Sequence, residues 1–578
     1  MAEHRDALEA VVRAAAGELG VDAELAAQLR LTETDDPEHG DLALPCFPLA
    51  KALRTAPAHI ALALKERLDT ADTSGLPLQR VETAGPYLNL FLRADAMVGD
   101  AIQVVLSAGD AYGSSRQGAG KRALVEHTSI NPNASPHLGR ARNAWIGDTI
   151  VRLLRFEGYE VDAHFFVNDV GKQIAMLVAG IGEGTPTFRE LLDIYIDVNR
   201  RFEADEGFRT SVERLLQRLE QDDGSTRAAF RRIVEISVGG MEAIFADAGV
   251  RYQHFDYESD YLTPQHYREL VDQFRAEGKL FEDDEGRLVL DLDGYDLPSR
   301  NPVLVVARSD KTSLYPLRDI SYTLDKVRRA PDLNVIVLGE DQKLYHQQIT
   351  AALDILGMTA PRAVHYSYVL LESGSMSSRE GNVVLLEDFV AEAKEKARGE
   401  LEARGQEPDE TVASAVAYSA LKYAFLRVAN EKQVTFKWEA AMAFEGETGP
   451  YLLYSYARLS SILRKHASQD AHAADDSPLP EAAGAAYHRM DSAEEVALAK
   501  ELARMPEVVA RAALARSPHV VAGHAYAVAK SFSAFYHACP ILQSEPELRD
   551  ARLLLVAATR QVLANVLGIL GITPLEAM

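Results

Sequence analysis

The chain has 578 residues, too many for one hydrophobic core, and its length suggests three or four domains. Hydrophobic residues make up 47% and charged residues 25%, the balance of a soluble globular protein, and no apolar run approaches the roughly 20 residues needed to cross a bilayer. Lys and Arg total 61 against 86 Asp and Glu, a net charge of −25, which excludes a nonspecific nucleic-acid binder held by bulk positive charge but not a partner read by shape and a few local contacts.

Residues 1–105 read as an α+β block. It opens with a charged amphipathic helix, MAEHRDALEAVV, rather than a signal peptide, so a cytoplasmic chain is expected. The polar loop Asp35 to Gly40 follows, then a helix from Leu49 to Leu68, and alternation over Pro86 to Leu92 predicts a short strand. The stretch Gly109 to Gly120 is a linker candidate. Residues 121–390 mix β-branched runs with helices, the α/β pattern, with strands expected at Ala123–Val125, Leu304–Val306 and Val335–Leu338. Residues 175–275 read as a mostly helical insertion between the halves of a nucleotide-binding sheet. From 391 to 578 helical periodicity dominates, strands are not expected, and 467–484 is a polar gap suited to an exposed loop. With only Cys46 and Cys539, neither a disulfide framework nor a cysteine zinc site is supported, and the sixteen histidines show no ligand spacing, so no metal is assigned.

The densest constellation runs from Val125 to Arg140. A strand ends at Glu126, and a loop with two prolines leads to His137 at the start of a long helix that buries Ile146, Ile150 and Leu154. Such a junction gathers backbone N–H groups and the positive end of a helix dipole at one point, a natural phosphate site, and Gly139 permits close backbone approach. This segment resembles the first signature of class I aminoacyl-tRNA synthetases as it occurs in arginyl-tRNA synthetases. Further words agree in order: Gly147-Asp148, Gly158-Tyr159-Glu160-Val161, Ser313 to Ile320, Gly339 to Leu344, and Ser373 to Gly381 in the place of the second signature. Phe444 to Leu452, Tyr456-Ala457-Arg458 and Thr559 to Leu563 resemble the family's anticodon-binding bundle, while Glu38 to Asp41 and Ala84 to Tyr87 resemble its N-terminal tRNA-binding domain.

The resemblance implies an N-terminal α+β tRNA-binding domain, a Rossmann-type catalytic domain with a helical insertion and an all-α anticodon-binding bundle. It also implies a guanidinium pocket made by Glu126, Asn131, Tyr315, Asp319 and Gln342, with Asp319 accepting the planar fork and Glu126 taking the α-ammonium. Tyr87 and Asn89 fall where the family meets tRNA. On the phosphate side His137 and Gly139 are present, but Arg140 replaces the second signature histidine, Ser375 and Ser378 stand at both lysine positions around Ser377, and Ala134 replaces a compensating lysine. Arg379 and Arg140 are then the local cations beside His137. This loss of phosphate donors favours an aminoacyl transferase in specialised biosynthesis. Such an enzyme would pass an aminoacyl group from charged tRNA to arginine or a guanidino metabolite, with no cofactor. The alternatives are a genuine arginine–tRNA ligase using ATP with Mg²⁺ and a non-catalytic tRNA-binding or arginine-sensing protein. A monomer without membrane contact is expected.

Overall fold

The computed structural model describes the chain except residues 1, 35, 74, 222, 262–263, 299–301, 310–314, 331, 372–383, 408, 470–478 and 483. The chain divides into two compact units: Met1–Tyr112 with Arg458–Met505 and Ala527–Leu563, and Gly113–Ala457 with Pro506–Tyr526 and Ala564–Met578.

In the first unit an antiparallel sheet has the order β1-β2-β4-β3, from β1 (Thr32–Glu33), β2 (Leu42–Pro45), β3 (Leu78–Ala84) and β4 (Tyr87–Leu92). Beyond the expected strand at Tyr87–Leu92, its hairpin partner β3 becomes visible only by pairing. Gly85 sits between them at φ +57°, a left-handed position that suits a residue without Cβ. The helix expected from Leu49 to Leu68 is broken: a short 3-10 turn and the helix Ala50–Leu53 end at Arg54 (φ 49°), and Pro57 opens a new helix to Thr70. Leu8, Val12, Leu44, Ile60, Leu64 and Leu88 share the core beneath this sheet. In the same unit Ser492 and Glu495 form a reciprocal cap on the helix Ala493–Ala503, Lys500 pairs with Asp41, and Arg504 pairs with Glu33 at 3.0 Å.

The second unit is built on a five-stranded parallel sheet of order β12-β11-β5-β6-β7, from β5 (Arg122–Glu126), β6 (Glu160–Val167), β7 (His254–Tyr257), β11 (Leu333–Gly339) and β12 (Arg362–Tyr366). The crossover between β6 and β7 carries the helices Lys172–Ile181, Glu190–Ala204, Glu206–Glu220 and Gly224–Asp247. The region expected as a helical insertion therefore also returns one strand, β7, to the main sheet. β8 (Leu280–Glu282), β9 (Leu288–Asp291) and β10 (Val303–Ala307) form a separate antiparallel sheet, so the strand predicted at Leu304–Val306 exists but lies outside the parallel one. β13 (Val369–Leu371) pairs in parallel with β14 (Val434–Phe436), a short strand in a region where helices alone were expected. Most of the polar gap at 467–484 lies outside the described residues.

The helix Pro546–Ile569 is long and apolar enough to cross a bilayer, contrary to the reading that no such run exists; 78% of its most apolar stretch is buried inside the protein, as a core helix requires. At Gly449, the first residue of the helix Gly449–Gln469, a Cβ would stand 2.0 Å from the Ser419 carbonyl oxygen and 2.3 Å from its carbon. Backbone against backbone leaves no flexible atom to yield. Gly449→Ala should therefore lower the Tm by several degrees in differential scanning calorimetry, a cost of about 3 kcal/mol.

Candidate active site

The strand order reverses between β5 and β11: the chain leaves β5 toward β6 on one side, and β11 toward β12 on the other. Ligands of open α/β sheets bind at the carboxyl ends of strands flanking such a switch point. Here β5 ends at Glu126, and two successive non-glycine residues, Thr128 (φ 70°) and Ser129 (φ 38°), turn the chain in the left-handed region. Conformations of this kind cost about 1–3 kcal/mol each and persist where neighbours over-determine them. The neighbours are explicit. The Thr128 N–H donates to Asn143 Oδ1 at 2.6 Å, and Asn143 Nδ2 donates to the Val337 carbonyl at 3.1 Å. The Ser129 hydroxyl donates to Glu126 Oε1 at 3.1 Å and accepts from the Phe166 N–H at 3.1 Å.

The helix Tyr315–Arg329 brings the opposite wall. Tyr315, Asp319, Thr323 and Lys326, spaced by four, four and three, present one face to the cavity. Lys326 Nζ bonds Glu126 Oε2, with Lys326 1% exposed and Glu126 4%, and sits 4.3 Å from the Tyr322 ring centre. Burial pushes the Asp319 carboxyl up to about 6; nearby Lys326 opposes this shift and Glu126 adds to it. The buried Tyr345 hydroxyl lies beside Asp319, and burial together with the Asp319 charge raises its phenol well above the ordinary range. Glu258 is also buried. Its Oε1 accepts from Arg318 Nε at 2.6 Å while Oε2 has no partner, and burial raises its carboxyl to about 7 despite Arg318.

These walls enclose about 360 Å³, in the range of small-molecule sites. Glu126, Asn131, Arg140, Tyr315, Asp319 and Gln342 all line the cavity, so six of the residues singled out in the sequence converge. Their bonding differs in detail from the expectation. Glu126 is already engaged by Lys326 and Ser129, Asn131 Nδ2 donates to Gln173 Oε1 at 3.1 Å, and Gln342 Nε2 donates to Asp341 at 3.0 Å. Lys326, Tyr345 and Glu258 were missed. Lys326 had a sequence signal, a lysine seven residues after Asp319 on the same helix face. Glu258, buried in the turn after β7 and outside the cavity lining, had none. His346, read as packing or tRNA-facing, also lines the cavity.

His137 is the N-cap of the helix Leu138–Phe156. Burial, with Arg140 adding to it, holds its imidazole down to about 4, so it is neutral at pH 7 and offers a single N–H rather than a near-neutral proton shuttle. Its Nδ1 is buried without a partner, and a Cβ at Gly139 would come within 3.0 Å of its ring. Gly139 thus leaves the ring its place without a tight contact. The chain re-enters this point from residue 384: the Leu138 N–H donates to the Val384 carbonyl at 3.1 Å, and the Leu386 N–H to the Pro136 carbonyl at 2.8 Å. The second signature, with Ser375, Ser377, Ser378 and Arg379, lies outside the described residues. In the other unit Tyr87 is exposed and edge-on to exposed Phe47 at 5.8 Å, whereas Asn89 is only 4% exposed.

Three family models match the chain: tRNA synthetases class I (R), catalytic domain, over residues 101–438; DALR anticodon binding domain over 452–578; and arginyl tRNA synthetase N terminal domain over 5–92. With the switch-point cavity and the His137 helix start, they define a class I aminoacyl-tRNA synthetase. Among curated relatives, the arginine–tRNA ligase of Methanocella arvoryzae is 36% identical, covering 94% of both chains, and that of Methanothermobacter thermautotrophicus is 33% identical over 100% of this chain and 99% of the relative. The solved arginyl-tRNA synthetase of Thermus thermophilus superposes with a TM-score of 0.78 at 28% identity, covering 99% of this chain and 100% of that one. The chain belongs to the arginyl-tRNA synthetase family.

The buried Glu126–Lys326 pair yields a stability test independent of ligand. Lys326→Met strands a carboxylate in a dry site and should cost about 3–5 kcal/mol in urea unfolding, whereas adding Glu126→Gln to it should restore most of the loss. Equal damage in the single and double variants would remove the pairing argument.

Proposed function

We propose that the protein is an arginine–tRNA ligase, joining arginine to tRNA with ATP consumed to AMP and pyrophosphate. The observation that carries this reading is the cavity itself, where Asp319, Tyr345 and the paired Glu126 line one small volume together with Arg140. A guanidinium presents donors in a fixed fork and takes a carboxylate in parallel, which suits Asp319. With Glu126 paired to Lys326, Asp319 and Asp341 are the other carboxylates lining the cavity, and Asp319 is the one on the helix wall beside Tyr345.

The aminoacyl transferase favoured by the degraded signatures loses ground for two reasons. Curated arginine–tRNA ligases align over nearly the full length of this chain. Arg140 also lines the cavity from the first turn of a 19-residue helix, so a cation and a helix N-terminus stand together on the phosphate side. An Arg binds phosphate well, and neutral His137 adds one N–H donor. This donor set fits a nucleotide triphosphate, which Mg²⁺ would accompany. The arginine carboxylate attacks the α-phosphate, pyrophosphate leaves, and the aminoacyl group then passes to the tRNA terminus. Positioning and charge stabilisation supply most of such a rate.

Tyr87 with Phe47 forms an exposed aromatic pair suited to stacking on a splayed base, while buried Asn89 serves the sheet. Two cysteines, both buried and unpaired, suit a reducing compartment, and a cytoplasmic monomer is the form proposed.

Exchange of labelled pyrophosphate into ATP, with and without arginine and tRNA, tests the reading. Arginine-driven exchange is expected, reduced about 10²–10³-fold in Arg140→Ala. Absence of exchange, together with a new amide formed from charged tRNA and arginine, would favour the transferase instead. Asp319 must be ionised to accept the guanidinium, and its carboxyl sits near 6 in the free protein. Arginine affinity should therefore hold above that pH and weaken as pH falls through it. Asp319→Asn should bind at least about 30-fold more weakly and lose this pH dependence.

A further inference from the structure

At the open edge of the parallel sheet, among residues that do not line the cavity, β6 and β7 pair with His164 directly opposite His254. Their rings stack at 4.5 Å between centres, and Asp162, two residues before His164 on the same face of β6, places Oδ1 4.0 Å from His254 Nε2. One ligand-capable atom from each of the three side chains lies within 4.8 Å of the others. His164 is buried at 1% exposure, whereas Asp162 and His254 keep about a third to a half of their surface in solvent. Behind them Asp256 Oδ2 bonds His164 Nδ1 at 2.6 Å, and the same carboxylate accepts from the Tyr322 hydroxyl at 2.9 Å and pairs with Arg329 at 3.4 Å. Arg122 stands 3.6 Å from the other Asp162 oxygen.

We propose that Asp162, His164 and His254 form a site for a divalent borderline metal ion, Zn²⁺ above all, that fastens the edge strand β7 to β6. The donor set is two imidazoles and a carboxylate, the combination that zinc takes with a water in the fourth position. The Asp256–His164 bond is the outer carboxylate that fixes the tautomer of a ligating histidine: with Nδ1 committed to Asp256, Nε2 is the nitrogen left for metal. Ligation at about 2.0–2.1 Å requires the three atoms to draw in to roughly 3.3 Å from one another. The two that must move, on Asp162 and His254, are the solvent-exposed ones, and the buried member is already held. Spacing in the sequence gives no hint of this group, because the histidines come from strands separated by the whole helical crossover.

The test uses the full, untagged chain. Zn²⁺ titrated against a chromophoric chelator should show one equivalent bound, and Co²⁺ should give the visible d–d bands of a tetrahedral ion. His254→Ala, at an exposed position, and Asp162→Ala, at a half-buried one, should each weaken binding at least tenfold and abolish the Co²⁺ bands with unchanged far-ultraviolet circular dichroism. Asp256→Asn, which leaves all three ligands in place, should weaken binding about 10–100-fold. Absence of a tetrahedral Co²⁺ spectrum, or an equivalent of zinc whose affinity His254→Ala and Asp162→Ala leave intact, would overturn the proposal.

Discussion

The chemistry of this cavity depends on one buried bond, that between Lys326 and Glu126 at the end of β5. Two opposite charges out of water are tolerable only as a pair, and once paired they leave the site with a defined charge count. Glu126 is neutralised from within the protein, while Asp319 and Asp341 stay on the cavity wall, Asp319 raised toward 6 by burial. The bond also ties the helix Tyr315–Arg329 to the central strand. Tyr315, Asp319 and Thr323 ride on that helix face, and its register relative to β5 sets where each of them stands.

Around this pair the backbone is arranged at some expense. Thr128 and Ser129 hold left-handed conformations that neither residue prefers, and they do so because Asn143, Phe166 and Glu126 each take one of their polar atoms. The turn delivers Asn131 to the cavity and His137 to the head of the following helix. Gly147 lies on that helix against His127, where a Cβ would come within 2.2 Å of the ring, so the glycine of the Gly147-Asp148 word has a packing reason. Lys422, Asp148 and Arg152 then meet the left-handed Gly571 near the C-terminus, which places the end of the chain in the same compact unit as the catalytic strands.

On the phosphate side, residue identity and residue position point in different directions. The absent lysines at 134, 375 and 378 favour a transferase that makes adenylate poorly. Each absence is real, but electrostatic stabilisation depends on where cations stand rather than on which motif letter supplies them. Arg140, which replaces the second signature histidine and was read as a remaining local cation, lines the cavity. A guanidinium reaches farther than an imidazole and keeps its charge at all working pH values.

Much of the fold was legible because its signals are local. β5 and β11, the opening helix and the long helix after His137 follow from β-branched runs and from apolar positions four apart, which chain physics imposes residue by residue. The pocket members Glu126, Asn131, Tyr315, Asp319 and Gln342 were legible because they sit in ordered words resembling one family. What the sequence could not determine is everything made by pairing across long separations. The return of β7 to the parallel sheet, the placement of β10 in another sheet, the broken helix at Arg54, the Lys326 bond to Glu126 and the meeting of His164 with His254 all required tertiary structure. The reason is physical: strand order and helix register are chosen by burial of whole faces against one another, and that choice, rather than any spacing along the chain, decides which charges become neighbours.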